Sequence, residues 1–344
     1  MKKIGTLTFN RAINYGAVLQ AFALKKKLEA YNEDVEVINY FQPHVESVYS
    51  CKGKRGFIRY LFFNRRNRKF RKFNKEISSE KIYDKESIKQ ANYDKIIVGS
   101  DQVWNYFCSG GDETFLLPNI RAKKYSYAAS FGVGELSENQ IGVFKENLSQ
   151  FNYLSVREKT GQDICKNQLG LSADVVLDPT LLLIKEEWKE CFNIKNNNKK
   201  YILVLAFDYN ENLVALAKYI SKLKGLPIYN ISVKVKDFFG NKVIKNAGPK
   251  EWVDLFYNAT YIVTDSFHAT AFSINFNKQF YSFAINNKAS RIVDLLNMLG
   301  ISERLNPDLD NLDLSKEIDY RLVNEKLDEE RKKSVAFIDK IMND

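Results

Sequence analysis

The chain has 344 residues, of which 45% are hydrophobic and 13% aromatic, and its 52 basic against 42 acidic residues give a net charge of +10. These totals exclude a disordered chain and, at about 150 residues per domain, predict two domains that each bury a core. Four widely spaced cysteines (Cys51, Cys108, Cys165, Cys191) without a CxxC pair exclude a disulfide scaffold, and two histidines with no spaced His, Cys or carboxylate cluster give no support for a metal site. The opening MKKIGTLTFNR lacks the apolar core of a secretory signal and no stretch approaches a membrane span, so the expected setting is the cytoplasm.

In chain order, Lys3 to Thr8 reads as a first strand, and a helix opened by Asn14, Tyr15 and Gly16 runs to about Ala30. Strand, glycine turn and helix begin a doubly wound α/β fold. Asn14 can cap that helix, Gly16 lets backbone approach a ligand, and Arg11 shares the loop. No GxGxxG is present, so no dinucleotide is implied. Val35 to Tyr40 is the second strand. Between Glu46 and Glu76 there is no acid, whereas residues 52–75 hold eleven lysines and arginines, which account for the whole charge excess. Phe57, Ile58, Tyr60, Leu61, Phe62, Phe63, Phe70 and Phe73 interleave with them. This composition fits an interfacial helix facing anionic lipid or diphosphate groups, or equally a solvated helix whose aromatic side joins the core. A nucleic-acid partner is disfavoured because the basic patch is confined to one segment.

Tyr93 to Val98 reads as a third strand running into Gly99, Ser100, Asp101, Gln102, Val103 and Trp104, a polar turn that is either a site or a helix cap at Asp101. Lys124 to Ser130 is a strand, Glu138 to Leu148 a helix, and Tyr153 to Val156 a strand ending in Arg157 and Glu158. Arg157 suits a carboxylate or phosphate through its planar fork, with pairing to Glu158 or another acid as the alternative. Ala173 to Leu177 is a strand closed by Asp178, Pro179 and Thr180. The tract Lys195 to Lys200 is the expected linker, dividing an N-terminal domain at 1–194 from a C-terminal domain at 200–319 and a last helix at 320–344. The second half alternates again, with strands at Tyr201–Phe207, Pro227–Ser232, Tyr261–Thr264 and Phe280–Ala284 and helices at Asn212–Leu223, after Gly248, at Ala269–Phe276 and after a Ser290 cap. Asp265 to His268 fall at a strand-to-helix junction. Amide groups there would bind an anion, and a histidine beside them can move a proton near neutral pH; a helix cap is the plainer reading.

Taken together, GTLTFNRAINYGAVLQAFAL, YDKIIVGSDQVWN, SYAASFG, SVRE, VLDPTLLL, GPKEWVDLFYNATYIVTDSFHATAFS and SRIVDLL resemble the polysaccharide pyruvyl transferase family across nearly the whole chain. The resemblance implies a GT-B-like fold, two Rossmann-like doubly wound domains facing a central cleft, and no cofactor. It implies transfer of the enolpyruvyl unit of phosphoenolpyruvate to a sugar diol, forming a cyclic pyruvate ketal and releasing phosphate. On that reading Arg157, His268 and Arg291, with Ser266 at the helix start, bind the donor, and His268 serves as general acid or phosphate clamp. Asp101 and Asp265 are candidates for the base, Asp265 having the alternatives of fixing the His268 ring or capping the helix. Asn14, Tyr15, Gly16 and Trp104 are the expected acceptor contacts. The implied acceptor is a sugar on a polyprenyl diphosphate, which would give residues 52–75 a peripheral membrane role at the inner face of the cell membrane. Competing readings are a nucleotide-sugar glycosyltransferase on the same architecture and a non-catalytic glycan or lipid-carrier binding protein.

Overall fold

The structure, a computed structural model, describes residues 1–48, 53–232, 240–284, 290–309 and 311–344, with the side chains of 53–62 outside that description. It divides into two compact units: Met1–Ser50, Arg71–Leu182 and Glu329–Asp344 form the first, and Cys51–Phe70 with Leu183–Asp328 the second.

In the first unit, β1 (Lys3–Leu7), β2 (Asp34–Tyr40), β3 (Ser78–Tyr83), β4 (Lys95–Val98) and β5 (Lys123–Ser126) form a parallel sheet in the order β3-β2-β1-β4-β5. Helices cover both faces of such a sheet, so its central strands read as apolar runs, as in the fully buried KIIV of β4. The helices of this half of the chain are α1 (Tyr15–Glu29), α2 (Pro43–Val48), α3 (Gly53–Ile77), α4 (Tyr106–Ser109), α5 (Glu138–Leu148), α6 (Lys159–Ile164) and α7 (Pro179–Leu182), of which α3 belongs to the second unit as far as Phe70. The short pair β6 (Ser155–Val156) and β7 (Asp174–Val175) extends the sheet beyond β5, because Ala129 N donates to Ser155 O and Arg157 N to Ala129 O, each at 3.2 Å. The strand β3 is not expected from the sequence. It is an edge strand, SSEKIY, with three exposed residues in succession, and so leaves no apolar run to read.

The second unit repeats the plan. After α8 (Lys185–Phe192), β8 (Ile202–Leu205), β9 (Ile228–Ile231), β10 (Lys242–Ile244), β11 (Tyr261–Thr264) and β12 (Gln279–Ser282) lie parallel in the order β10-β9-β8-β11-β12. Packed with them are α9 (Glu211–Lys224), α10 (Pro249–Asn258), α11 (Phe267–Asn275) and α12 (Ser290–Leu299). β10 is again an edge strand, open to solvent and invisible as an apolar run.

Three details refine the sequence expectations. The division falls at Leu182, ahead of the expected 194–200 boundary: Trp188 is fully buried with its ring centroid 4.9 Å from Phe272, and Asn275 donates to Leu183 O at 2.8 Å, so α8 belongs to the second unit. The expected linker is tied there too, since Asn197 N donates to the side chain of Asn258. The closing helix α13 (Tyr320–Asn343) ends in the first unit, where the buried Lys95 ammonium donates to Ile341 O and Met342 O at 2.6 and 2.9 Å. In α3, Phe63, Arg66, Asn67, Phe70 and Phe73 are buried whereas Arg65, Arg68, Lys69, Arg71, Lys72 and Lys75 are not. Helical spacing therefore sorts this part of the basic segment into an inward aromatic stripe and an outward cationic one. The described aromatics face protein, and Arg66 stacks on Phe63 at 4.2 Å.

Candidate active site

Each sheet reverses its strand order once, between β1 and β4 in the first unit and between β8 and β11 in the second. Loops after those strands form the crevice where doubly wound sheets bind ligands. The two crevices are built from different chemistry.

In the first unit the turn after β4 is fixed from several sides. Gly99 sits at φ +113°, and a Cβ there would come within 2.3 Å of Tyr127 O, so only glycine fits. Ser100 N donates to Gln20 Oε1 at 3.0 Å, and Thr8 Oγ1 donates to Ser100 O at 2.8 Å. Asp101 follows at φ +77°, a left-handed conformation that costs a non-glycine residue about 1–3 kcal/mol and persists where its surroundings enforce it. Ser130 N donates to Asp101 O at 2.9 Å, and Gln102 N to Asp101 Oδ1 at 2.9 Å.

Arg157, at the end of β6, is buried beside this turn with 2% side-chain exposure. Its Nη1 donates to Asp178 Oδ2 at 2.7 Å, while Asp101 Oδ1 lies 3.6 Å from Nη2 and Glu158 Oε2 3.7 Å from Nε, beyond hydrogen-bond range. Burial works against the guanidinium charge, but Asp178, Asp101 and Glu158 outweigh it and hold its pKa above the ordinary value. Three carboxylates thus surround one cation. Asp178 and Glu158 are enclosed, the latter accepting from Ser130 Oγ at 2.6 Å, whereas Asp101 keeps 13% side-chain exposure. Among the expected acceptor contacts, Asn14 caps α1 by accepting from Ala17 N, and Tyr15 and Gly16 are buried in its first turn. Trp104 is placed in the core, 1% exposed, donating to Phe115 O at 3.0 Å and packed on Phe131, so its large ring serves packing. Arg11 is drawn toward β2 and α2 by Asn39 and Glu46.

In the second unit, α11 starts two residues before the expected Ala269, which places His268 within its first turn. Ser266 is the N-cap, its Oγ accepting from Ala269 N at 3.4 Å, and Thr270 Oγ1 donates to Ser266 O and lies 2.7 Å from Ser282 Oγ. These bonds lock the helix start to the end of β12. Asp265 accepts from Phe207 N at 2.9 Å and Asp208 N at 3.1 Å, joining the loop after β8 to the end of β11. Burial pushes the Asp265 carboxyl up, and the backbone donors offset only part of that. The His268 ring, 9% exposed as a residue, meets Phe267 edge-on at 5.2 Å, and the Arg291 guanidinium of α12 lies 5.7 Å from the same phenyl ring. Ser266, His268 and Arg291 are therefore neighbours around Phe267. A helix N-terminus, an imidazole and a guanidinium are each groups that suit an anion.

Sequence reasoning gave no site role to Ser130, Asp178 or Phe267, and none to Ser100 beyond its place in the polar turn. The tripeptide Asp178-Pro179-Thr180 closing a strand is visible in the sequence, but its partnership with Arg157 is not. Among the described residues no group of three or more His, Cys, Asp or Glu is placed to hold a metal ion.

The family model described as polysaccharide pyruvyl transferase matches residues 14–287. No curated protein matches the sequence. Among solved structures, the chain is similar to the UDP-GlcNAc 2-epimerase from Neisseria meningitidis bound to UDP-GlcNAc, at 9% identity over 100% of both chains with a TM-score of 0.52. Lower scores link it to the UDP-GlcNAc 2-epimerase of Methanocaldococcus jannaschii (14% identity, 95% of this chain and 92% of that one, TM-score 0.47) and to the E. coli heptosyltransferase WaaC with ADP (10%, 95% and 99%, 0.43). The fold is α/β of the GT-B-like class.

Proposed function

The chain belongs to the polysaccharide pyruvyl transferase family, and from that premise we propose that it transfers the enolpyruvyl unit of phosphoenolpyruvate to two hydroxyls of a sugar in a polysaccharide precursor. The observation that carries this reading is the contrast between its two crevices: an imidazole and a guanidinium at a helix start in the second unit, and a partly exposed carboxylate beside a neutralised arginine in the first. Phosphoenolpyruvate is a small frame bearing a phosphate and a carboxylate, matched by Arg291 and the amides following Ser266. Arg291 supplies permanent charge. His268 adds what an arginine cannot, a transferable proton, which goes to the methylene carbon and makes C2 electrophilic. Asp101 takes the proton of the first sugar hydroxyl as its oxygen bonds to C2. Phosphate then leaves with the C–O electrons, and the second hydroxyl closes the ketal. Of the two hydroxyl protons, one balances the proton now on the methyl group and the other leaves with phosphate. Asp265, held by backbone amides, shapes the crevice.

The acceptor in this proposal is carried on a polyprenyl diphosphate. Support comes from the outward cations of α3, among them Arg65, Arg68 and Lys72, which suit diphosphate or anionic headgroups by charge. Among the described residues no helix is long and apolar enough to cross a membrane. Reversing Arg65, Arg68 and Lys72 to glutamate should lower binding to vesicles containing phosphatidylglycerol by about tenfold or more, at roughly 1 kcal/mol per cation near the surface; unchanged binding would remove this part of the proposal. The main test is incubation with phosphoenolpyruvate and a panel of free and lipid-linked sugars, following phosphate release and an acceptor mass gain. Turnover of a nucleotide sugar with no phosphate release from phosphoenolpyruvate would replace this reading with a glycosyltransferase.

A further inference from the structure

The side chain of Asp178 is fully buried, and its carboxylate is saturated. Oδ1 accepts from Thr180 N at 3.0 Å and Thr180 Oγ1 at 2.7 Å, and Oδ2 accepts from Arg157 Nη1 at 2.7 Å and Ser100 Oγ at 3.2 Å. The single Ser100 hydroxyl proton is shared between this carboxylate and Ala128 O, which lies nearer at 2.8 Å. One carboxylate thus ties together the ends of three strands: β4 through Ser100, β6 through Arg157 and β7 through its own backbone. That many donors fix the position and orientation of the carboxylate.

The distances around Arg157 divide its carboxylate neighbours into two kinds. Asp178 holds the guanidinium by a short charge-assisted bond, and Asp101 stands about 1 Å further off. A carboxylate clamped by an arginine is a weak base, because its ionised form is stabilised at the moment it should take a proton. Asp178 competes for the guanidinium and so keeps Asp101 from being clamped.

We propose that Asp178 is a positioning residue for the acceptor side of the reaction, acting through Arg157 and the 99–101 turn to hold Asp101 near, but not bonded to, a buried cation. This rests on the reading of Asp101 as the base. With Asp178 as asparagine, the cation loses its nearest counter-charge and moves onto Asp101 or Glu158, and the base is both shifted and quenched.

The test compares Asp178→Asn with Thr180→Ala, which removes a donor from the far side of the same carboxylate, and with Asp178→Glu, which keeps the charge should the amide variant fold poorly. In Asp178→Asn we expect kcat to fall about 10- to 100-fold with KM for phosphoenolpyruvate changed less than about threefold, the cost of misplacing a reacting group by an ångström. Thr180→Ala, at a similar loss of Tm, should keep kcat within about threefold, and Asp178→Glu should fall between. Two readouts do not depend on turnover: the Arg157 guanidinium 15N–1H signals and the Asp101 13Cγ shift at fixed pH should move in Asp178→Asn and stay in Thr180→Ala. If both spectra move but no variant, including the parent, turns over phosphoenolpyruvate, the positioning role stands and the proposed reaction falls. Wild-type spectra and wild-type kcat in folded Asp178→Asn or Asp178→Glu, or equal losses in Asp178→Asn and Thr180→Ala, would overturn the inference.

Discussion

The two units share one topology, yet the charged groups gathered after their central strands differ. Between β1 and β4 the crevice has three carboxylates around Arg157; between β8 and β11 it has His268 and Arg291 beside a helix start, with the nearby acid, Asp265, absorbed by backbone amides. Sheet topology determines where a ligand sits, and the residues that follow each strand determine its charge. A doubly wound unit can therefore serve an anion or activate a hydroxyl without any change of fold.

Removing the proposed acid and base separately tests whether the two crevices divide the work. His268→Ala should cut phosphate release by about 10²–10⁴-fold, and Asp101→Asn by about 10²-fold, since each removes a positioned proton carrier. The two should differ in binding: Asp101→Asn retains affinity for phosphoenolpyruvate in calorimetry, whereas His268→Ala weakens it. Equal loss of donor affinity in both would show that the crevices do not divide the work. A smaller effect is expected from Arg291→Met, which should raise KM for phosphoenolpyruvate about tenfold or more through loss of a charge-assisted contact, with kcat changed less; a purely kcat effect would move Arg291 out of donor binding.

The smallest effects concern one lysine in each unit, and they bear on stability rather than catalysis. Lys95 is pushed down to about 8 by burial and by neighbouring Lys2, and the partly buried Lys278 to about 8 by desolvation and by Lys185. Because both are held below their ordinary 10.5, the folded chain binds fewer protons than the unfolded one between about pH 8 and 10.5. Stability should therefore rise across that window, with the cost of burial fully present below pH 8. Substitution should nevertheless act in opposite directions at pH 7. Lys95→Met leaves two carbonyls of α13 without their donor and should destabilise by about 1–3 kcal/mol. Lys278→Met removes a partly desolvated charge that lies over the Tyr257 ring, 5.7 Å from its centre, and should stabilise by about 1 kcal/mol. Urea melts at pH 7 and pH 10 check both signs, and a flat pH response in the parent would count against the buried charges.

Much of the fold and part of the site are legible in the amino-acid sequence. Parallel strands buried on both faces must be apolar runs, so β1, β4, β8 and β11 stand out, and the polar residues after them mark the crevices; Asp101 after β4 and His268 after β11 are read in this way. The edge strands β3 and β10 give no such signal because one side of each meets water. The role of α3's aromatics is open in sequence, since lipid and protein cores reward the same stripe; burial of Phe63, Phe70 and Phe73 assigns those three to protein. Trp104 misleads because a tryptophan in a polar turn reads the same whether it stacks on a sugar or fills a core.

The alternation of strand and helix, the doubly wound class and the turns between elements are legible locally, because periodicity and turn residues act over a few neighbours in the chain. Only the tertiary structure decided which charges meet. Asp178 is 21 residues from Arg157, and Ser100 is 78 from Asp178. Whether an arginine is a clamp for a ligand or the centre of a neutralised cluster depends on which strand ends the sheet brings side by side, and on the ångström that separates a hydrogen bond from a nearby charge.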